Sequence, residues 1–166
     1  MNKRIFTLQF IGLILAGFVL ANVPETLPET PKPVLSEGVY FTDVSQTKLY
    51  SGIYREYYEN GALKLELFLE DGRPEGTYVV YFENGRPNEV RSYHKGQFHG
   101  VWRTYNSSGL LIAQAEYDNG RKHGNWKIWD DNGILRYEMQ YDKGKKTGTW
   151  YMWDDKGKLL SEKVYR

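Results

Sequence analysis

The stretch GNWKIWDDNGILRYEMQYDKGKKTGTW, residues 124–150, begins and ends on nearly the same phrase, because GNWKIWDDNG returns 24 residues later as GTWYMWDDKG. The same interval runs through the chain from residue 52 onward. One set of glycines recurs at Gly52, Gly76, Gly100, Gly124 and Gly148, and a second set at Gly61, Gly85, Gly109, Gly133 and Gly157. No insertion breaks the count, so the sequence predicts five tandem repeats.

Each repeat contains the pattern of two short strands around a turn. The second set of glycines follows pairs such as Glu59-Asn60 and Asp131-Asn132, and glycine takes a positive φ there without a steric clash. In the second strand of the fourth repeat apolar Tyr137 and Met139 alternate with Glu138, which is typical of a half-buried antiparallel strand. The sequence therefore predicts an all-β fold: one elongated antiparallel sheet of about five stacked 24-residue hairpins.

The first strand of each repeat is ambiguous. Trp102 and Tyr105 are three residues apart, so a regular strand would point them to opposite faces. Either the sheet carries aromatic side chains on both faces, or a bulge redirects one of them. The sequence alone leaves both possibilities open.

The residues before the repeats have a different composition. Lys3 and Arg4 precede an apolar run over 5–21, which predicts a secretory signal peptide or an uncleaved membrane anchor. Both alternatives place the body outside the cytoplasm, in the periplasm, in the outer envelope or in the medium. The predicted segments are a signal peptide (1–21), a Pro-rich linker (22–37), an N-terminal capping hairpin (38–51) and five repeats (52–75, 76–99, 100–123, 124–147 and 148–166).

Composition excludes several kinds of chemistry. The chain has no cysteine, so disulfides, thiolate metal sites and thiol nucleophiles are ruled out. A net charge of +1 does not predict nucleic-acid binding. His99 and His123 are one repeat apart, too far to share a metal ion, and we expect them to complete the turn before the repeat glycine. No catalytic motif occurs, so we expect no enzyme activity, no cofactor and no metal.

The motif Tyr-x-x-Gly-x-x-His-Gly-x-Trp, present as Tyr117, Gly120, His123, Gly124 and Trp126, resembles MORN-type repeats. With Gly133, Leu135 and Glu138 following, it is similar to the bacterial MORN-repeat variant, which includes YwqK-type antitoxins. The resemblance covers about residues 38–166 and implies an elongated antiparallel sheet used for interaction. Glu75 and Thr147 depart from it at the histidine position.

Two groups of side chains are candidates for binding. The aromatic columns are Trp102, Trp126, Trp150 and Tyr105, Trp129, Trp153, with members about 9 to 10 Å apart in a sheet. They are either part of the core or an exposed row that stacks on sugar rings or apolar groups. The basic loop Lys143, Lys145, Lys146 is either a solvated turn or a site for an acidic surface or an anionic lipid headgroup.

These patterns favour an exported, non-enzymatic MORN-type repeat protein that acts as a protein-interaction scaffold at the bacterial envelope. One alternative is an antitoxin-like protein that neutralises a toxin by direct binding. Another is a module that binds glycans or lipid headgroups. The identity of a protein partner cannot be read from the residues.

Overall fold

The computed structural model of the chain describes residues 32–166, which form strands and turns. The predicted signal peptide, 1–21, and the predicted linker up to residue 31 lie outside the described residues. The strands are β1 (Val34–Ser36), β2 (Val39–Phe41), β3 (Gly52–Tyr57), β4 (Leu63–Glu70), β5 (Arg73–Tyr81), β6 (Pro87–His94), β7 (Gln97–Phe98), β8 (Gly100–Tyr105), β9 (Leu111–Asp118), β10 (Arg121–Trp129), β11 (Leu135–Asp142), β12 (Lys145–Trp153) and β13 (Leu159–Tyr165). Within that range the structure contains no helix that is long and apolar enough to cross a membrane.

One antiparallel sheet holds 11 of these strands. Their order is β13-β12-β11-β10-β9-β8-β6-β5-β4-β3, with β7 paired to β6 off this path. The five hairpins β3–β4, β5–β6, β8–β9, β10–β11 and β12–β13 coincide with the five repeats. The pairing also repeats: Trp126 lies opposite Met139, and Trp150 lies opposite Lys163. The predicted all-β sheet of stacked hairpins is confirmed.

Two kinds of turn alternate along the chain. Within a repeat the chain reverses over three residues, and Gly61 N donates to Tyr58 O at 2.9 Å. The predicted turn glycines, Gly61, Gly85, Gly109, Gly133 and Gly157, occupy these turns with φ between 76° and 91°. Between repeats the turn has two residues: Asp71 and Gly72 have φ of 47° and 71°, as in a type I′ turn.

The turns between repeats also bind to one another. Gly72 N donates to Tyr50 O at 2.8 Å, and Gly144 N donates to Lys122 O at 2.7 Å. The equivalent glycines in the two intervening turns donate in the same way. Each repeat is therefore joined to its predecessor by a turn-to-turn hydrogen bond in addition to the strand pairing.

Aromatic side chains occur on both faces of the sheet. The register shifts just before the second aromatic of every hairpin, for example between Met152 and Trp153. This bulge does not bring the two aromatic columns together. Trp153 stacks on Tyr151 at 5.6 Å, whereas Trp150 packs against Tyr165. Of the two possibilities left open by the sequence, the structure therefore has aromatics on both faces.

The N-terminal segment caps the first repeat. β2 pairs with β1, which lies inside the range predicted as linker, and meets Leu49 only through a single bridge from Phe41. Tyr50 N donates to Tyr40 O at 3.0 Å, and the Tyr40 ring lies 5.9 Å from the Tyr54 ring. Within the segment predicted as a capping hairpin, 38–51, Thr42 N also donates to Lys48 O at 2.9 Å, so the two arms fold back on each other. Tyr40 takes the place of a preceding repeat's last aromatic.

Among the described residues, the buried hydrophobic core cluster lies in the first repeat. Its members are Tyr54, Leu65, Leu67 and Leu69, with Tyr40, Tyr50, Tyr78 and Val80 packed around them. A single sheet has no second layer to cover its faces, so burial depends on the N-terminal cap and on neighbouring strands. Later repeats are stabilised mainly by side chains that lie against each other along the sheet.

Candidate binding surfaces

A continuous row of rings, which we call the aromatic ladder, runs along one face of the sheet. Its rungs are contributed by the first aromatic of each hairpin and by the tyrosine that ends each second strand. Neighbouring centroids are 4.8 Å apart for Trp102–Tyr117, 5.2 Å for Tyr117–Trp126, 5.3 Å for Trp126–Tyr141, 5.1 Å for Tyr141–Trp150 and 4.8 Å for Trp150–Tyr165. The rings are tilted, the arrangement that aromatic quadrupoles favour. We call this side the ladder face.

The indole nitrogens anchor the ladder to the backbone. Trp126 Nε1 donates to Glu116 O at 3.0 Å, and Trp150 Nε1 donates to Gln140 O at 3.0 Å. In the third repeat the equivalent carbonyl, that of Ser92, accepts from His99 N instead, and Trp102 Nε1 is buried without a partner. This change of donor occurs where the strand is interrupted between β7 and β8. The column Trp102, Trp126, Trp150 is therefore half-buried structure rather than a free row.

Cations lie over the ladder rings. Lys146 Nζ is 4.5 Å from the Trp150 centroid and 5.3 Å from that of Tyr165. Lys122 lies in the same way over Trp126 and Tyr141. Such contacts contribute roughly 0.5–1 kcal/mol at exposed sites. All three lysines of the predicted basic loop are exposed: Lys143 lies in the turn, Lys145 begins β12, and Lys146 also contacts the aromatic rings.

Burial changes the acidity of the ladder phenols. It raises the pKa of Tyr117 and Tyr141, because the charged phenolate is poorly solvated between rings. Tyr54, the first rung of the repeats, shows the strongest effect. Burial raises its pKa, and its hydroxyl donates to Glu56 Oε1 at 2.6 Å, which raises the pKa further.

The second aromatic column lies on the other side, which we call the opposite face. Tyr105, Trp129 and Trp153 are half-buried there, and Arg136 Nε donates to Trp153 O at 3.0 Å. Nearby, Asn125, Glu138, Gln140, Thr149 and Tyr151 line a shallow groove. Lys127 Nζ pairs with Glu138 at 3.1 Å in the middle of this surface. The opposite face is thus polar with interspersed aromatic rings.

The histidines form a row of contacts with carboxylates beside the turns between repeats. His99 Nδ1 lies 3.5 Å from Asp118 Oδ1, and His123 Nδ1 lies 3.4 Å from Asp142 Oδ1. In the preceding repeat the partners are exchanged: Glu75 Oε1 is 3.0 Å from His94 Nδ1. The sequence treated Glu75 only as a departure from the histidine motif. Comparing residues 19 positions apart in each repeat would have revealed the exchange.

Glu75 is held more firmly than its counterparts. Its second oxygen accepts from Lys95 N at 2.6 Å, and this hydrogen bond, followed by that from His94, lowers the pKa of the Glu75 carboxyl. His123 Nδ1 is buried and its contact with Asp142 lacks hydrogen-bond geometry, so that pair is the weaker one. Across residues 32–166 no group of three or more His, Asp or Glu side chains could hold a metal ion.

The geometry defines a repeat protein made of stacked β-hairpins with two exposed, side-chain-rich faces. The family model for the MORN repeat variant matches residues 50–71, 98–119, 122–143 and 146–166, more than half of the chain. The chain therefore belongs to the MORN repeat variant family, whose repeats act as binding modules and which is not a known enzyme family. The family model does not match residues 73–94, but these residues form a hairpin, β5–β6, like those of the matched repeats.

Comparisons beyond the family add little. A comparison with curated proteins finds no match. One similar solved structure is the crystal structure of accessory secretory protein 1,2 and 3 in Streptococcus pneumoniae, at 10% sequence identity and a TM-score of 0.35. The match covers 73% of this chain and 23% of that chain. Similarity at this level carries no argument about function.

Proposed function

We propose that this chain is an exported, non-enzymatic scaffold that binds a protein partner at the bacterial envelope through the ladder face of its later repeats. Export is supported by Lys3, Arg4 and the apolar run that follows them. Binding is supported by the family and by the way the apolar surface is distributed along the sheet.

One observation carries the proposal. Leu65 in the first repeat and Tyr137 in the fourth occupy equivalent positions on the ladder face. Leu65 is 9% exposed beneath the N-terminal cap, whereas Tyr137 is 40% exposed. Ile128, directly opposite Tyr137, is 39% exposed. The fold buries this surface at one end and leaves it uncovered at the other, and contiguous exposed apolar side chains mark interaction sites.

The surface around Ile128 and Tyr137 suits a protein more than a small molecule. It is open and shallow, and it is bordered by Met139 and by Lys122 over the ladder rings. Apolar and aromatic residues near the centre with cations at the rim are typical of protein interfaces. Lys122 and Lys146 at this border favour a partner with acidic residues around an apolar centre.

The test is affinity purification from the native envelope, comparing the wild type with Ile128→Lys and Tyr137→Lys. We expect a partner to be recovered with the wild type and to be lost with both of these variants. Val44→Lys is the matched control, because Val44 is 83% exposed and lies in the N-terminal segment. Equal recovery of the partner with all four proteins, each shown to be folded by circular dichroism, would contradict the assigned surface.

Glycan binding is the second candidate, and the groove on the opposite face favours it. Amide and carboxylate groups of Asn125, Gln140 and Glu138 lie beside the Tyr151 ring, the combination that sugars use for hydrogen bonding and stacking. Co-sedimentation with purified peptidoglycan tests this candidate. Retention that is lost in Tyr151→Ala and kept in Tyr137→Lys would place binding on the opposite face.

A further inference from the structure

The two end strands of the sheet, β3 and β13, each have one side without a strand neighbour within the described range. β3 exposes Ile53 (51%) and Tyr57 (58%), and β13 exposes Leu160 (56%) and Val164 (62%). Exposed apolar side chains on an unpaired strand favour pairing with another strand. The two ends therefore offer matching surfaces.

The last strand reverses the pattern of the others. In β11 the ladder face carries Tyr137 and Met139, but in β13 the equivalent positions are Ser161 and Lys163. Val164 stands on the opposite face, where β9 and β11 have Glu116 and Gln140. The reversal moves apolar surface of the final strand to the side where Ile53 and Tyr57 of the first strand are exposed.

The register of the repeats brings complementary charges together. Between successive repeats, Glu138 of β11 pairs with Tyr151 of β12. Glu162 of β13 is the equivalent of Glu138, and Arg55 of β3 is the equivalent of Tyr151. If the same register continued from β13 of one copy to β3 of another, Glu162 would therefore pair with Arg55. Opposite charges directly across two strands are stabilising. The next pair places Glu56 of the second copy opposite Ser161 and beside Lys163.

The junction between β11 and β12 contains a bulge just after Glu138. If the joint between copies lacks this bulge and is a straight antiparallel pairing centred on Glu162 and Arg55, Val164 lies opposite Ile53 and Leu160 opposite Tyr57. All four are exposed apolar residues of the end strands, which also include Leu159 (45% exposed) at the start of β13. Pairing β13 with a second β13 is less favourable, because centring on Glu162 would place two carboxylates directly opposite each other. The complement of β13 is thus β3 of another molecule.

We propose that copies of this chain associate head to tail, with β13 of one copy adding to the free edge of β3 in the next. The contact is independent of the partner surface around Ile128 and Tyr137. The N-terminal cap limits its extent. Tyr40 already fills the rung before Tyr54, and Tyr50 Oη donates to Ile53 O at 3.0 Å, so the joint involves about five residues on each side.

A joint of this size buries less than a typical stable interface, and head-to-tail contacts that do not close form open chains. We therefore expect weak association that grows with concentration. Sedimentation velocity of the wild type, from low concentration to the limit of solubility, should show a weight-average mass that rises steadily above that of the monomer.

Charge reversal at the joint provides the decisive test. Glu162→Arg alone and Arg55→Glu alone should each remain monomeric. An equimolar mixture should associate again, into chains in which the two variants alternate, because β13 of each variant then meets the opposite charge on β3 of the other. Arg55 also pairs with Glu66 within the chain at 2.6 Å, so a second version, Arg55→Glu with Glu66→Arg, preserves that pair.

Asp155→Arg is the matched control: it makes the same change of charge in a turn away from the joint and should associate like the wild type. Circular dichroism and thermal unfolding verify that every variant is folded. The proposal is overturned if the wild type stays monomeric at all concentrations. The β13 edge would then be left for a strand of a different protein. A mixture of the two variants that remains monomeric overturns the proposal as well.

Discussion

Glu75 and His94 form the same contact as Asp118 and His99 in the next repeat, but with the acid and the imidazole exchanged between strands. The exchange keeps one carboxylate and one imidazole in this contact, as in the two equivalent contacts His99–Asp118 and His123–Asp142. Glu75 gains an additional partner, the backbone N–H of Lys95 at 2.6 Å. This junction is thus both an ion pair and a capped turn, which makes it the most informative one to alter.

Replacing Glu75 with Gln should make folding less sensitive to acid. The hydrogen bond from Lys95 and the nearby His94 lower the pKa of Glu75, so its contribution to stability is present above the ordinary glutamate pKa, about 4.3, and is lost as pH falls through the lowered value. Because the Glu75 side chain is still 25% exposed to solvent, we expect Glu75→Gln to cost at most about 1 kcal/mol at pH 7 and less as pH falls through the lowered pKa.

Urea unfolding of both proteins at a series of pH values measures this difference. The double variant Glu75→His with His94→Asp is the control, because it recreates the arrangement of the neighbouring repeats and should retain part of the stability. A constant difference between wild type and Glu75→Gln from pH 7 to pH 3 would show that the carboxylate charge has no role.

Tyrosine titration should divide the phenols into two classes. Burial raises the pKa of Tyr40, Tyr54, Tyr78, Tyr117 and Tyr141. Since the neutral phenol is favoured in the fold, its stabilisation is complete below the ordinary pKa of about 10 and is lost as pH rises through the raised values. Absorbance at 295 nm should therefore increase in two phases, the later one accompanying unfolding.

In guanidinium chloride all phenols should titrate together near the ordinary value. Tyr117→Phe should reduce the amplitude of the late phase without altering the early one. A single phase near pH 10 in the folded protein would mean that the ladder is open to solvent.

Lys146 and Lys145 should differ in their effect on stability although they are neighbours. Lys146 lies over the rings of Trp150 and Tyr165, whereas Lys145, the first residue of β12, is exposed. We expect Lys146→Ala to cost about 0.5–1 kcal/mol and Lys145→Ala less than about 0.5 kcal/mol. Thermal unfolding monitored by tryptophan fluorescence compares the two. Equal effects would indicate that the contact with the rings contributes nothing.

The sequence predicted the repeating part of the fold because its signals are local. The glycine columns mark each turn and the alternation in residues 135–141 marks each second strand, so the hairpins and their order follow from a constant period. The sequence predicted a capping segment but not how it packs on the first repeat. Tyr40 takes a repeat-like position without being in register with the period, since chain reversal at Glu37-Gly38 brings it there.

The sequence predicted which candidate binding residues form columns, but not how exposed each side chain is or what it contacts. The sequence grouped Lys143, Lys145 and Lys146, yet only the structure shows that the last of these covers two rings. Likewise the exposure of Ile128 and Tyr137 depends on where the cap ends, which no local pattern encodes. Properties set by contacts between distant segments were the ones that sequence reasoning missed.

Gly72 should be the least replaceable glycine of the turns between repeats. It has φ of 71°, and a Cβ there would lie 2.6 Å from Tyr40 O and 2.7 Å from Val39 Cγ1. A left-handed conformation costs other residues roughly 1–2 kcal/mol, and forcing a methyl group into packed surroundings adds about 1–3 kcal/mol. We therefore expect Gly72→Ala to reduce the free energy of unfolding by about 2–5 kcal/mol, as measured by urea denaturation.

Gly144 provides the comparison, because it occupies the equivalent turn with φ of 91° but has nothing within 4 Å of a Cβ. Gly144→Ala should show the conformational cost alone, about 1–2 kcal/mol. The difference between the two variants measures how tightly the N-terminal cap packs on the first repeat. If Gly72→Ala is no worse than Gly144→Ala, the segment containing Val39 and Tyr40 does not cover that turn in solution, and the first repeat is as open as the last.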